Sequence, residues 1–538
     1  MSKLAPGSTA PYMRTMEIVH SVLGLLAACV GIAVIARWFK LPYAVLLILV
    51  GMVIAFLPIK PHIALQPDVA LAFFLPPLLM GSAYRTDWRA FRRNIRPILL
   101  LAVGAVLFSA FAVAWVARLM LPELPWAAAI ALGAIVAPPD AVAASAVLTR
   151  LHLPRRLVTV LEGESLLNDG SALVLYRLAV AAALLGASLP VWEAAGSFLL
   201  VSAGGVAVGW AVAWAALWLI PRLRDTLLEI AMSFLVCYGS FLAAEAFHLS
   251  GVLAVVTAGI IFGQAQYAAF SPQTRIEART VWVFLEFILT SLVFILIGLS
   301  LNDTMDRLAD RGWLELTGLA LAISATLIIA RFIWVFPATY LPRLIPAVRR
   351  DDPSPPWQQV VIISWAGMRG VVSLAAALAL PVEFPERDII VFLAFMAILA
   401  TLVLQGTTLE WLILKLKVEE KRHPGGLDPI EAHARHVVAQ AQLGALRERA
   451  QDMMDGAIAA DLLAEFQDRA DHLHRTHRGG GAVLAERAAR RRIRLDLLQV
   501  ARAALVEHNR TTPMHDEALV KLNQELDLEE LRIDRALG

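Results

Sequence analysis

Asp140 and Asp169 each lie inside stretches otherwise apolar enough to sit within a bilayer. An ionised side chain at that depth costs roughly 2.5–3.5 kcal/mol on insertion scales, so it marks a functional site by default. Asp140 directly follows Pro138 and Pro139. Two consecutive prolines remove two backbone donors and strand the carbonyls upstream, which predicts an interrupted helix able to offer oxygens and helix ends to a cation. The blander reading is a proline kink with an aspartate turned toward a water pocket. Asp169 closes the run Glu162–Asp169, in which Ser165 and Asp169 stand four residues apart, as do Glu164 and Asn168. On a helix each such pair shares a face at about 6 Å. A carboxylate and a hydroxyl on one face suit a hard cation, and the absence of a nearby Cys or His cluster argues against a transition metal. A third segment, Ser364–Ser373, places Arg369 between Gly367 and Gly370. The glycines weaken the helix, and the guanidinium stays charged and needs a partner. Glu164 is the expected partner, a structural ion pair that leaves Asp169 free to exchange its ligand.

Other polar groups at membrane depth are read as supporting parts. Glu286 and Arg331 are expected to form a second internal ion pair or a gate, against an equal case for plain structural pairing. Glu229, Glu245 and Gln405 are expected to satisfy interhelical hydrogen bonds, and Arg177 to be buried or to snorkel outward.

The elements that position these residues follow from composition. The 538 residues are 59% hydrophobic and only 17% charged, against roughly 25% charged in soluble domains. This predicts an all-α polytopic membrane protein. Apolar runs of about 20 residues place about thirteen spans, near 16–36, 41–59, 66–84, 96–120, 125–149, 155–184, 190–220, 225–247, 249–266, 280–302, 314–342, 357–381 and 388–413. The loops on one side carry about 17 basic residues and those on the other, with the N-terminus, about seven. The positive-inside rule then puts the N-terminus outside and the C-terminus in the cytoplasm. The net charge of +2 is no argument for nucleic acid, and the two cysteines, Cys29 and Cys237, read as small membrane-helix residues rather than a disulfide. The interrupted fifth and twelfth spans are seven apart, an odd offset that inverts topology, as expected for inverted repeats with two broken crossing helices. Residues 1–415 thus read as a transmembrane domain and 416–538 as a cytoplasmic helical domain. In the latter, 430–475 and 482–535 are helical in spacing around Gly479–Gly481. The basic run Arg487–Arg494 there reads as a solvated face before it reads as a lipid contact.

The runs 137–143 (Ala-Pro-Pro-Asp-Ala-Val-Ala), 162–170 (Glu-Gly-Glu-Ser-Leu-Leu-Asn-Asp-Gly) and 365–373 (Trp-Ala-Gly-Met-Arg-Gly-Val-Val-Ser) resemble, as a set, the signature segments of bacterial sodium/proton antiporters. These form the electroneutral branch of the monovalent cation:proton antiporter superfamily, related to eukaryotic sodium/proton exchangers. Phe74–Leu79, Gly251–Gly259 and Leu285–Phe294 are similar to further family segments, so the likeness covers roughly 15–415 and leaves out the tail. It implies that Asp169 is the main carboxylate for cation and proton. Asp140 and Ser165 would be co-ligands of a monovalent sodium ion, and Asn168 the neutral neighbour that marks the electroneutral branch. It also implies the ion pair of Glu164 and Arg369, a homodimer, and no cofactor beyond the transported ions. Two departures bear on affinity and selectivity. Pro139 stands where relatives often carry Thr, leaving only its backbone carbonyl to offer. Met80, Gly81 and Ser82 stand where some archaeal relatives carry Glu.

The expected function is therefore secondary antiport, not enzymology: Na⁺ or Li⁺ against H⁺, electroneutral and one for one, by alternating access with both ligands competing at Asp169. The setting would be the inner (plasma) membrane, with lipid as neighbour and pH homeostasis as the role. A K⁺/H⁺ antiporter of the same fold and a non-transporting cation- or pH-sensing receptor are the alternatives. An intramembrane aspartyl protease built on Asp140 and Asp169 would leave Arg369 unexplained.

Overall fold

The computed structural model describes residues 10–39, 43–55, 67–140, 151, 153–185, 190–223, 225–308, 311–418, 429–450, 458–459, 462–464, 466–467, 481–511 and 516–537. Among them every regular element is helical, and no strand occurs. The chain divides into two compact units, Met1–Glu420 and Lys421–Gly538.

The first unit runs through α1 (Ala10–Phe39), α2 (Tyr43–Ala55), α3 (Pro67–Arg85), α4 (Trp88–Arg93) and α5 (Ile95–Leu99). A π-helical stretch, Leu100–Ala105, joins α5 to α6 (Val106–Met120). Then come α7 (Trp126–Val136), α8 (Arg155–Leu185), α9 (Val191–Leu223), α10 (Thr226–Ala246), α11 (Gly251–Ala269), α12 (Pro272–Arg307) and α13 (Trp313–Tyr340). After α14 (Pro346–Asp351), the short α15 (Trp357–Trp365) and α16 (Val371–Leu378) precede α17 (Arg387–Leu416). Eight described helices are long and apolar enough to cross a membrane, with three shorter apolar ones at Leu23–Ala36, Tyr43–Ala55 and Trp126–Val136. The thirteen expected spans thus include some that the structure presents as short or broken helices. The second half of the expected fifth span, 141–149, lies outside the described residues.

Helix starts follow local chemistry. Asp225 caps α10 by accepting from the Leu228 amide at 2.9 Å. Ser271 caps α12 through the Thr274 amide at 3.1 Å, with Pro272 at the first helical position, where a missing donor costs nothing. That start lies about two turns before the expected 280, because the apolar run begins later than the helix that carries it.

Without water to drive helices together inside a bilayer, close packing of small residues does so. A β-carbon on Gly133 would meet the Ala110 backbone, so α7 and α6 touch main chain to main chain. The apolar interior falls into two main clusters, one including Leu132, Ile323, Leu374 and Phe392, the other Met80, Val255, Phe262 and Trp282. Helix α8 feeds both, through Val160 and through Leu166. On α9, Trp210, Trp214 and Trp218 repeat every four residues and are about 60% exposed, a face suited to lipid. Arg222 closes that stripe by lying 3.9 Å over the Trp218 ring, a snorkelling geometry.

The second unit includes α18 (Pro429–Arg449), α19 (Gly481–Thr511) and α20 (Asp516–Leu537). Arg502 on α19 reaches Asp527 and, at 2.6 Å, Glu530 on α20, so these two helices pair. The stretch 482–535, read as helical in spacing, comprises α19 and α20, and residues 512–515 lie outside those described.

Candidate functional site

The two proline positions act on the backbone as the sequence predicts. Pro138 and Pro139 have no N–H, so α7 ends at Val136 with the Ala137 amide bonded back to the Gly133 carbonyl at 2.9 Å. The Asp140 amide, next in line for the Val136 carbonyl, instead donates to the carbonyl of Met368 at 2.6 Å. The last carbonyls of α7 are thus left over. Arg369 takes them, donating from Nε to Val136 O at 2.9 Å and from Nη2 to Ala137 O at 3.5 Å. A cation at a helix C-terminus also complements the helix dipole. Met368 and Arg369 can do this because the second interrupted segment, 366–370, is not helical between α15 and α16. The two breaks face each other and each satisfies the other's backbone.

Gly370 sits at the N-cap of α16, and a β-carbon there would collide with the Asp140 carboxylate. Asp140 therefore lies against the N-terminus of a helix, where a negative charge is favoured. Across from it, α8 presents Asp169, 9% exposed, and Asn168, fully buried. The Asp140 and Asp169 carboxylates interact electrostatically. Asn168 Nδ2 donates to the Pro139 carbonyl at 2.5 Å, which ties α8 to the break. Its Oδ1 is buried with no hydrogen-bond partner among the described residues. Ser165 lies one turn before Asp169 and is half-buried. Asp140, Pro139, Asn168 and Asp169 thus meet at the crossing. The Pro139 carbonyl, expected as a bare ligand, already accepts from Asn168 and keeps one lone pair.

The ion pairs are distributed differently from expectation. Glu164 does not pair with Arg369: its two oxygens accept from Arg331 Nη1 at 2.6 Å and Nη2 at 2.9 Å, with both side chains at most 2% exposed. Arg331 also donates to the Ile363 carbonyl at 3.0 and 3.1 Å, at the end of α15. The physical reason is that Arg369 is consumed by orphaned carbonyls, including that of Gly367, so the carboxylate takes the second buried guanidinium. Glu286 accordingly does not pair with Arg331 but with Arg85, at 2.8 Å. Arg331 was visible in the sequence as a charge in mid-span, about four turns from Glu315, the acid at the start of its own helix. Its partner was not, because two arginines competed for one glutamate. Glu245 pairs with Arg177 at 2.6 Å, and Glu229 accepts from the Ser271 amide at 3.4 Å. Gln405, expected to satisfy an interhelical bond, is fully buried with neither amide atom partnered among the described residues.

The π-helical stretch, which the hydrophobic pattern does not reveal, supports α8 from behind. A π turn frees backbone acceptors. Trp334 Nε1 donates to Leu100 O at 2.9 Å and Ser171 Oγ to Ala102 O at 2.5 Å. Ser171 lies two residues after Asp169, so this bond fixes the rotation of the carboxylate-bearing face.

An uncharacterized Na(+)/H(+) exchanger of Mycobacterium tuberculosis is 32% identical over 95% of both chains. That match must extend well into the tail, which the signature motifs alone leave out. A Bacillus pumilus protein named as a sodium, potassium, lithium and rubidium/H(+) antiporter is 32% identical over 80% of this chain and 66% of its own length. The solved sodium proton antiporter MjNhaP1 of Methanocaldococcus jannaschii matches in fold, with a TM-score of 0.60 and 19% identity, over 76% of this chain and all of that one. The family described as sodium/hydrogen exchanger, transmembrane, matches residues 24–415. The chain belongs to that sodium/hydrogen exchanger family, a family of multi-pass membrane secondary transporters rather than enzymes.

Proposed function

We propose that this chain exchanges Na⁺ or Li⁺ for H⁺, one for one and without moving net charge, with Asp169 alternately holding the cation and the proton. A nearly buried carboxylate is costly to leave charged and alone, so it either takes a cation or a proton, and each ligand excludes the other. Asp140 and Ser165 are the co-ligands in this reading. The observation that carries it is Asn168: a neutral amide held by Pro139, with an oxygen that has no partner among the described residues. It offers a cation a ligand without adding a second group that titrates, and that favours electroneutral exchange. Alternating access follows if α7, α8, α15 and α16 move together against their neighbours. The orientation with N-terminus outside in the inner membrane, the homodimer, the role in pH homeostasis and the division into a transport domain, 1–415, and a cytoplasmic helical domain belong to the same reading.

A second reading is favoured by the Bacillus pumilus relative, whose name includes potassium and rubidium. Pro139 supplies a carbonyl but no side-chain oxygen, and a looser ligand set would discriminate less between ions. The test is exchange in proteoliposomes, followed by a pH dye, with Na⁺, Li⁺ and K⁺ and with the membrane potential clamped or free. Exchange of Na⁺ and Li⁺ that ignores the potential is the expected result. Exchange of K⁺ at a similar rate selects the second reading. Asp169→Asn is expected to abolish exchange, and full activity in that variant overturns the assignment of Asp169.

A further inference from the structure

Arg96, Arg156 and Arg343 line one cavity of about 40 Å³ at an end of the membrane unit where basic residues gather. At roughly 10–15 Å³ per water this is room for about three waters, the scale of a phosphate group. Its inner wall is apolar, with Leu101, Val160 and Ile363 all buried. Against the three guanidinium groups stands a single carboxylate, Asp352. Arg343, itself buried, donates to Asp352 Oδ2 at 2.6 Å and to the Asp352 carbonyl at 3.2 Å. Arg156 reaches Asp352 Oδ1, and its other nitrogens reach Asn94 Oδ1 at 3.2 Å and Pro353 O at 3.3 Å. Arg96 is half-buried and makes no side-chain hydrogen bond or ion pair among the described residues.

One aspartate shared by two arginines, with a third arginine unpaired, leaves the cavity with an excess of two positive charges. Guanidinium forks match phosphate oxygens, and a half-buried cation beside apolar carbon calls for an anion that brings carbon with it. We propose that this cavity binds a phosphate-bearing anion, in the membrane the headgroup of an anionic phospholipid, with Arg96 as its anchor and Asp352 as a built-in competitor for Arg156 and Arg343. Basic pockets between membrane helices are suited to such headgroups. The occupant would brace α5, α8, α13 and α15 at once. Ile363, which lines the cavity, also accepts from Arg331 through its carbonyl, so the braced helices are those that hold Glu164. This inference does not depend on which ion is exchanged.

The full-length protein in detergent tests it, by thermal stability and by native mass spectrometry of retained lipid, with phosphatidylglycerol, phosphatidylcholine or inorganic phosphate added. Phosphatidylglycerol is expected to be retained and to raise Tm, and phosphatidylcholine to do neither. Arg96→Gln breaks no existing bond, so it should fold, and it is expected to weaken phosphatidylglycerol about fivefold. Asp352→Asn is expected to tighten it, because the competing charge is gone. A merely structural Asp352 would give the opposite sign. Stabilisation by phosphatidylglycerol alone assigns a lipid. An Arg96-dependent stabilisation by millimolar inorganic phosphate assigns a free anion and keeps the same chemistry. Equal retention of both lipids with no effect of phosphate, or wild-type binding in Arg96→Gln, overturns the proposal, and weaker binding in Asp352→Asn overturns the competitor.

Discussion

Glu164 and Arg331 form a two-pronged ion pair with almost no access to solvent. Such a pair contributes little net stability compared with apolar residues of the same shape, yet breaking one half strands a buried charge. Glu164→Gln or Arg331→Gln should each lower stability by about 3–5 kcal/mol, measured as denaturation of the detergent-solubilised protein. The apolar double replacement Glu164→Leu with Arg331→Met should recover most of that loss. Gly370 makes a different demand, since any β-carbon there displaces the Asp140 carboxylate. Gly370→Ala should leave the fold in place and slow exchange on the order of a hundredfold, the scale for shifting a reacting group by about 1 Å. Unchanged exchange in that variant would remove Asp140 from the site.

Among the elements, the crossing of the two broken segments is where the sequence was most readable and also where it misled. Pro138, Pro139, Gly367 and Gly370 announce the breaks, because missing donors and missing β-carbons are local properties. Which guanidinium serves which acceptor is not local. It depends on the Val136 and Ala137 carbonyls lying more than 200 residues from Arg369 in sequence. The π stretch at Leu100–Ala105 was equally hidden, since its residues are as apolar as the helix around them. Its contribution is testable. Ser171→Ala removes the bond to Ala102 O and should cost about 1 kcal/mol of stability, while Arg369→Lys keeps the charge but loses the fork and should cost about 2 kcal/mol.

For the molecule as a whole, the family match ends at residue 415 and the first compact unit at Glu420, whereas similarity to the mycobacterial exchanger continues into the tail. A chain ended after Val418 should still exchange the same ions in proteoliposomes, so any change upon truncation should appear in rate or pH response rather than in ion preference. The membrane character was legible because composition averages over many residues. The number of full crossings was not, because the halves around 366–370, Trp357–Trp365 and Val371–Leu378, each fall short of a complete span. The mutual capping of α7 and the 366–370 break has one more consequence, for biosynthesis. The Ala137 carbonyl and its Arg369 donor are 232 residues apart. At roughly 5–20 residues per second, a nascent chain holds the stub of α7 in the membrane for roughly ten to fifty seconds before its arginine is made. During that interval the insertion machinery, or water drawn in beside Pro138, must serve the carbonyls that the finished protein serves for itself.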